Sequence, residues 1–143
     1  MGQLEIGILI KQIHDKMRAY GDAALKQRGL TFSQMRVIQF VSGQGDRTTQ
    51  KEIEDYLGVS HPTVVGLVTR LERNGFLYCY KDETNRRNKL VCNTRKACDM
   101  EREMFEEHQS AEEQLLRGLC EQERKELSRF LTVLNQNLDQ RYG

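Results

Sequence analysis

Two apolar stripes of helical period meet across three residues. Ile53, Tyr56 and Leu57 end the first, Gly58-Val59-Ser60 follow, and Val64, Leu67, Val68 and Leu71 form the second. Few folds accept two helices joined so tightly. Gly58 suits the left-handed residue just past a helix end, and Ser60 suits the N-cap of the next helix. Pro62 is the single proline of the chain. It falls in the first turn of the second helix, where a missing N–H costs nothing. Short helix, glycine turn and second helix make a helix-turn-helix.

The flanking segments extend this unit. Upstream, Ile6, Leu9, Ile10, Ile13, Met17 and Tyr20 recur at helical spacing, and Gly29 stops that helix. Thr31-Phe32-Ser33-Gln34 reads as a capping box opening a second helix. Its apolar side is Met35, Ile38 and either Val41 or Phe40. Gly43 to Asp46 is a loop, and Thr49-Gln50-Lys51-Glu52 is a further capping box. Downstream, Phe76 to Tyr80 and Leu90 to Cys92 are β-prone runs around the polar stretch Lys81 to Lys89. They predict a two-stranded hairpin with a charged tip. Thr94 caps a long helix through Phe105 to Leu116, Gly118 interrupts it, and Leu127, Phe130, Leu131, Leu134 and Leu138 mark a last helix. The fold class read from this order is mainly α with a small β-hairpin wing: a winged helix-turn-helix.

Charge locates the function. The chain of 143 residues has a net charge of only +1, which by itself argues against a nucleic-acid partner. The charge is unevenly spread. Gly58 to Lys96 holds 8 basic and 3 acidic residues, whereas Ala97 to Gly143 holds 6 basic and 11 acidic. The basic segment is the helix-turn-helix and wing, and the acidic one lies away from it in sequence.

The outer face of the second helix follows by elimination. With Val64, Leu67, Val68 and Leu71 inward, His61, Pro62, Val65, Gly66, Thr69 and Arg73 point outward, flanked by Thr63 and Arg70. Small residues let a helix lie deep in the major groove. Val65 suits a thymine methyl, and His61 and Thr69 suit base donors or acceptors. Ser60, Thr63 and Arg70 suit phosphates. At the hairpin tip Arg86 and Arg87, with Lys89, suit the narrow minor groove. The bland alternatives are an ordinary surface helix and a solvated loop; a wing placed directly after a helix-turn-helix weighs against both.

The run from Gln50 to Thr94 resembles the MarR/SlyA-type winged-helix transcription regulators. The matching residues are Leu57-Gly58-Val59-Ser60, Thr63-Val64, Leu67-Val68, Arg70-Leu71-Glu72, Gly75-Phe76-Leu77, and Asp82, Arg86, Arg87, Lys89 and Thr94. The resemblance implies one domain over 1–143, with a DNA-binding lobe at about 31–94. Dimerisation helices would lie at about 4–28 and 95–141. It implies a homodimer on a pseudo-palindromic double-stranded operator, more often a repressor than an activator, released by a small-molecule effector. Ser60, Thr63 and Arg70 would anchor phosphates, Arg86 would be the wing-tip arginine, and Asp82 would brace the wing by pairing with an arginine. Three positions depart from the pattern: Asn85 stands where Asp is usual, Asn93 where Leu is usual, and Cys120 where Ser is frequent.

Dimerisation also follows from the residues. The apolar stripes at both chain ends exceed what a three-helix core with a wing can cover. Two half-sites one helical turn apart match a two-fold protein.

Other readings are weaker. Cys79, Cys92, Cys98 and Cys120 form no CxxC, and with His14, His61 and His108 they show no metal spacing, so no metal is expected. Cys79 and Cys92 sit on the two wing strands, which raises a thiol-based redox switch as an alternative. Thiol-sensing relatives carry the reactive cysteine in the first helix, and this chain has none before Cys79. His14 and Arg18 share a helix face and are candidates for an effector pocket. No phosphate loop, nucleophile elbow or paired catalytic acids appear, so no enzyme and no cofactor is expected. A winged-helix adaptor that binds protein instead of DNA is the remaining class; the basic segment opposes it. No signal peptide and no membrane-length apolar run is seen, and a cytoplasmic, reduced setting is expected.

Overall fold

A computed structural model describes residues 5–142. Residues 1–4, on which the N-terminal reading rested, lie outside the described residues. The elements are α1 (Glu5–Gln27), α2 (Phe32–Gly43), β1 (Arg47–Thr49), α3 (Gln50–Leu57), α4 (His61–Arg73), β2 (Leu77–Lys81), β3 (Lys89–Asn93), α5 (Arg95–Leu115) and α6 (Glu121–Tyr142). Two compact units divide the chain, one through Met104 and one from Phe105.

In the first unit the core lies among α2, α3, α4 and the sheet. Val37, Ile38, Val41, Ile53, Val64, Leu71 and Val91 are wholly buried there, with Leu77 nearly so. Val64, Val68 and Leu71 are the inward stripe that α4's period predicts, and Leu67 packs partly buried against the same cluster. Of the two candidates on α2, Val41 is buried and Phe40 only partly so. Tyr56 departs from its expected inward place. It is half exposed, stacked on Phe40 at 4.4 Å, with the Arg36 guanidinium 5.4 Å from its ring. A phenol at the edge of a small core keeps its hydroxyl in water by lying flat on a neighbouring ring.

The helix ends follow the predicted chemistry with one exception. Thr31 and Gln34 complete a reciprocal capping box. The box expected at Thr49 forms only in half: Thr49 accepts from the Glu52 N–H, but the Glu52 carboxylate is taken by the Thr48 hydroxyl. Gly58 caps α3 at φ 66°, the left-handed region. Thr94 caps α5, its hydroxyl accepting from the Ala97 N–H at 3.3 Å and donating to the Gly75 carbonyl at 2.6 Å.

The hairpin belongs to a three-stranded antiparallel sheet of order β1-β3-β2. β1 pairs Thr48 with Val91, so Arg47 and Thr48, to which the sequence assigned no element, form a strand that runs into the Thr49 cap. Asn93 explains one departure from the expected pattern. Its buried side chain donates to the Ile38 carbonyl at 3.2 Å and to Asp46 at 3.4 Å, which ties β3 to α2 and to the turn before β1. Its Oδ1 is buried without a partner.

The outward faces are as informative as the core. On α1, Ile6, Leu9, Ile10, Ile13, Met17 and Tyr20 are all exposed, and Leu25 alone among the described α1 residues is buried. In the second unit, Phe130, Leu131, Leu134 and Leu138 of α6 are exposed as well. Arg124 joins the neighbouring segments there, donating to the Leu119 and Leu116 carbonyls and pairing with Glu113 at 3.1 Å.

Candidate nucleic-acid interface

The first turn of α4 is built by side chains. Ser60 is its N-cap, accepting from the Thr63 N–H at 3.4 Å, and the two hydroxyls share a hydrogen bond of 2.8 Å. This mutual bond orders both groups that the sequence assigns to phosphates. His61, Pro62, Thr63, Val65, Thr69, Arg70 and Arg73 are exposed, and Gly66 is half-buried. A Cβ built on Gly66 meets nothing within 4 Å. Nothing in the chain therefore requires glycine there, and the space lies open for a close partner. The far end of α4 is held too. Lys96 donates to the Asn74 carbonyl at 2.7 Å, placing a cation at the negative end of the helix.

His61 is less free than the sequence suggests. Its Nδ1 lies 3.0 Å from Glu54 Oε1, and the Glu54 side chain is only 13% exposed. Sequence reasoning did not single out Glu54. The legible sign was a carboxylate one helical turn before Gly58 and a histidine directly after the next cap.

The wing keeps its shape by backbone-directed bonds. Asp82 Oδ1 accepts from the Thr84 N–H at 3.0 Å and from its hydroxyl at 2.7 Å. These bonds hold the Asp82 carboxyl below the usual carboxylate range, with Arg47 a minor contribution. Asp82 thus braces the wing through Thr84, which corrects the expected arginine pairing. The physical reason is proximity: a threonine two residues on closes an Asx turn without ordering a long side chain. Asn85 acts likewise at the next turn of the loop, its Oδ1 accepting from the Arg87 N–H at 3.2 Å. Asn supplies the same acceptor as the usual Asp. Arg86, Arg87 and Lys89 are exposed. A cleft of about 410 Å³ lies between the wing, α3 and the head of α4, lined by Thr49, Gln50, Lys51, Glu54, His61, Arg87, Asn88 and Lys89.

The two wing cysteines do not face each other, which corrects the redox pairing. Cys79 is opposite Val91 and Cys92 is opposite Tyr78, so the two thiols leave opposite faces of the sheet. Burial, with a hydrogen bond to Glu72 and its charge, pushes the Cys79 thiol up to about 12. Near neutral pH it should alkylate more than about tenfold more slowly than exposed Cys120, as read by mass spectrometry of labelled peptides. His14 and Arg18 are exposed on α1, and Arg18 pairs with Asp22 at 3.9 Å; neither lines the cleft. Among the described residues no group of three or more His, Cys, Asp or Glu is placed to hold a metal. No helix there is long and apolar enough to cross a membrane.

Comparison with known proteins agrees with this geometry. The model of the MarR family matches residues 28–88, from before α2 to the end of the wing loop. The HTH-type transcriptional regulator YwoH of Bacillus subtilis (strain 168) is 33% identical over 131 residues, covering 90% of this chain and 94% of that protein. The crystal structure of the S. aureus MepR–DNA complex superposes with a TM-score of 0.82 at 26% identity, covering 92% of this chain and 98% of that one. MepR alone, a transcription regulator of the Staphylococcus aureus multidrug efflux pump MepA, gives a TM-score of 0.81 at 26% identity, covering 93% and 98%. A relative similar over nearly its whole length, and a family match lying on the helix-turn-helix and wing, show that this chain belongs to the MarR family of HTH-type transcriptional regulators.

Proposed function

We propose that the chain acts as a homodimer that binds a pseudo-palindromic double-stranded operator and represses transcription, with release by a small-molecule effector. The observation that carries the DNA reading is the exposed, acid-poor outer face of α4 beside a wing whose tip is two exposed arginines. On this reading α4 enters the major groove, with His61, Pro62, Val65, Gly66 and Thr69 toward base edges. Ser60, Thr63, Arg70 and Arg73 take phosphates, and Arg86, Arg87 and Lys89 reach the adjacent minor groove. Residues 31–94 form the DNA-binding lobe, and 4–28 and 95–141 the dimerisation helices. The exposed apolar stripes of α1 and α6 support this division. The MepR–DNA complex, a structural relative bound to DNA, supports the partner. His14 and Arg18, four residues apart on α1, are the proposed effector contacts, and the cytoplasm is the proposed location.

Arg86→Ala should weaken operator binding and lower the log–log salt slope by about two, one unit for each wing of a dimer. Fluorescence anisotropy over a salt series reads this directly. A flat salt response in the unaltered protein, with no sequence preference, would instead favour a protein-binding adaptor.

A further inference from the structure

Glu54 puts a carboxylate beside a surface that should attract phosphates, and the structure gives it one side-chain partner. Its Oε1 lies 3.0 Å from Nδ1 of His61, the first residue of α4. Glu54 is largely covered while the His61 side chain is 66% exposed. Lys51 on α3 and Arg87 and Lys89 on the wing line the same cleft, and Lys51 is itself paired with Asp55 at 3.4 Å. The direct side-chain partner of the Glu54 carboxylate is the His61 ring.

We propose that Glu54 is a positioning residue that sets which bases His61 reads. The inference rests on the DNA-binding role of α4 stated above. A carboxylate only accepts, so Nδ1 must carry the proton in this pair. In the neutral ring Nε2 is then an acceptor, turned away from Glu54. In the major groove the donors that match it are the amino groups of cytosine N4 and adenine N6. Guanine and thymine present only acceptors on their own major-groove edges, so the pair selects cytosine or adenine at the position the ring meets.

The test is selection of bound sites from a random double-stranded pool by the full chain. The expected result is one position per half-site that prefers C or A over G or T. The preference should be roughly 5- to 100-fold. His61→Ala should flatten that position alone. Glu54→Ala should flatten the same position, and the double variant should lose nothing more. Glu54→Gln preserves the volume and offers the ring a donor as well as an acceptor, so it should blur the preference with the fold intact. The proposal is overturned if Glu54→Gln and Glu54→Ala keep the wild-type preference. It is equally overturned if their losses persist in the His61→Ala background, which marks a merely structural role. Failure of the unaltered protein to select any sequence overturns the DNA reading itself.

Discussion

Leu9→Glu on α1 or Leu134→Glu on α6 is expected to turn a dimer into a folded monomer and to reduce operator affinity by about 10²–10⁴-fold. The two side chains are 52% and 41% exposed in the single chain, so neither supports the core of its own unit. A carboxylate there costs little in the isolated chain. In a buried two-fold interface it meets its own copy or apolar neighbours, and an unpaired buried charge is strongly unfavourable. Linking two half-site contacts through one protein is what raises affinity, so losing the link removes that gain without touching any DNA-facing residue. Sedimentation or light scattering reads the mass, circular dichroism reads the retained helix, and anisotropy reads the affinity. A variant that stays dimeric at micromolar concentration would refute the interface placement.

Leu71→Ala is expected to have the largest effect on stability, a loss of about 2–5 kcal/mol. Leu71 is fully buried on α4, within the cluster that also holds Ile38, Ile53 and Val91. Truncation leaves a cavity in a packed region and removes the contacts that hold α4 on its base. Domains of this size have about 5–15 kcal/mol in total, so the loss is a large fraction. Urea unfolding should show a lower midpoint at unchanged slope. Val65→Ala, one face away and exposed, should leave the midpoint nearly unmoved while altering base preference.

The contrast between those positions shows why much of the fold was legible. Val64, Val68 and Leu71 are fixed by helical period alone, and Gly58, Ser60 and Pro62 by the local chemistry of helix ends. Each is a short-range constraint. β1 was missed because so short a run carries no alternation, and its evidence is a partner strand that lies beyond α3, α4 and β2 in the chain. The Asp82 brace was misassigned because a resemblance supplies a residue's role without its bonding geometry, and Thr84 was the nearer partner. The Cys79 and Cys92 pairing failed on register, since one residue of offset moves a side chain to the other face. Glu54 was passed over for a related reason. It lies on one helix and acts on the next, across a turn whose angle the sequence does not state.

The wing tip has a consequence for divergence. Its shape depends on Asp82, Thr84, Asn85 and backbone groups, and on no side-chain atom of Arg86 or Arg87. Substitutions at those two positions that keep the Arg87 N–H therefore leave the loop standing, and they escape the stability threshold that removes most mutations. A duplicated copy of this gene can drift in what its wing touches while still folding. The protein is arranged so that new operators are open to it at little risk to the scaffold.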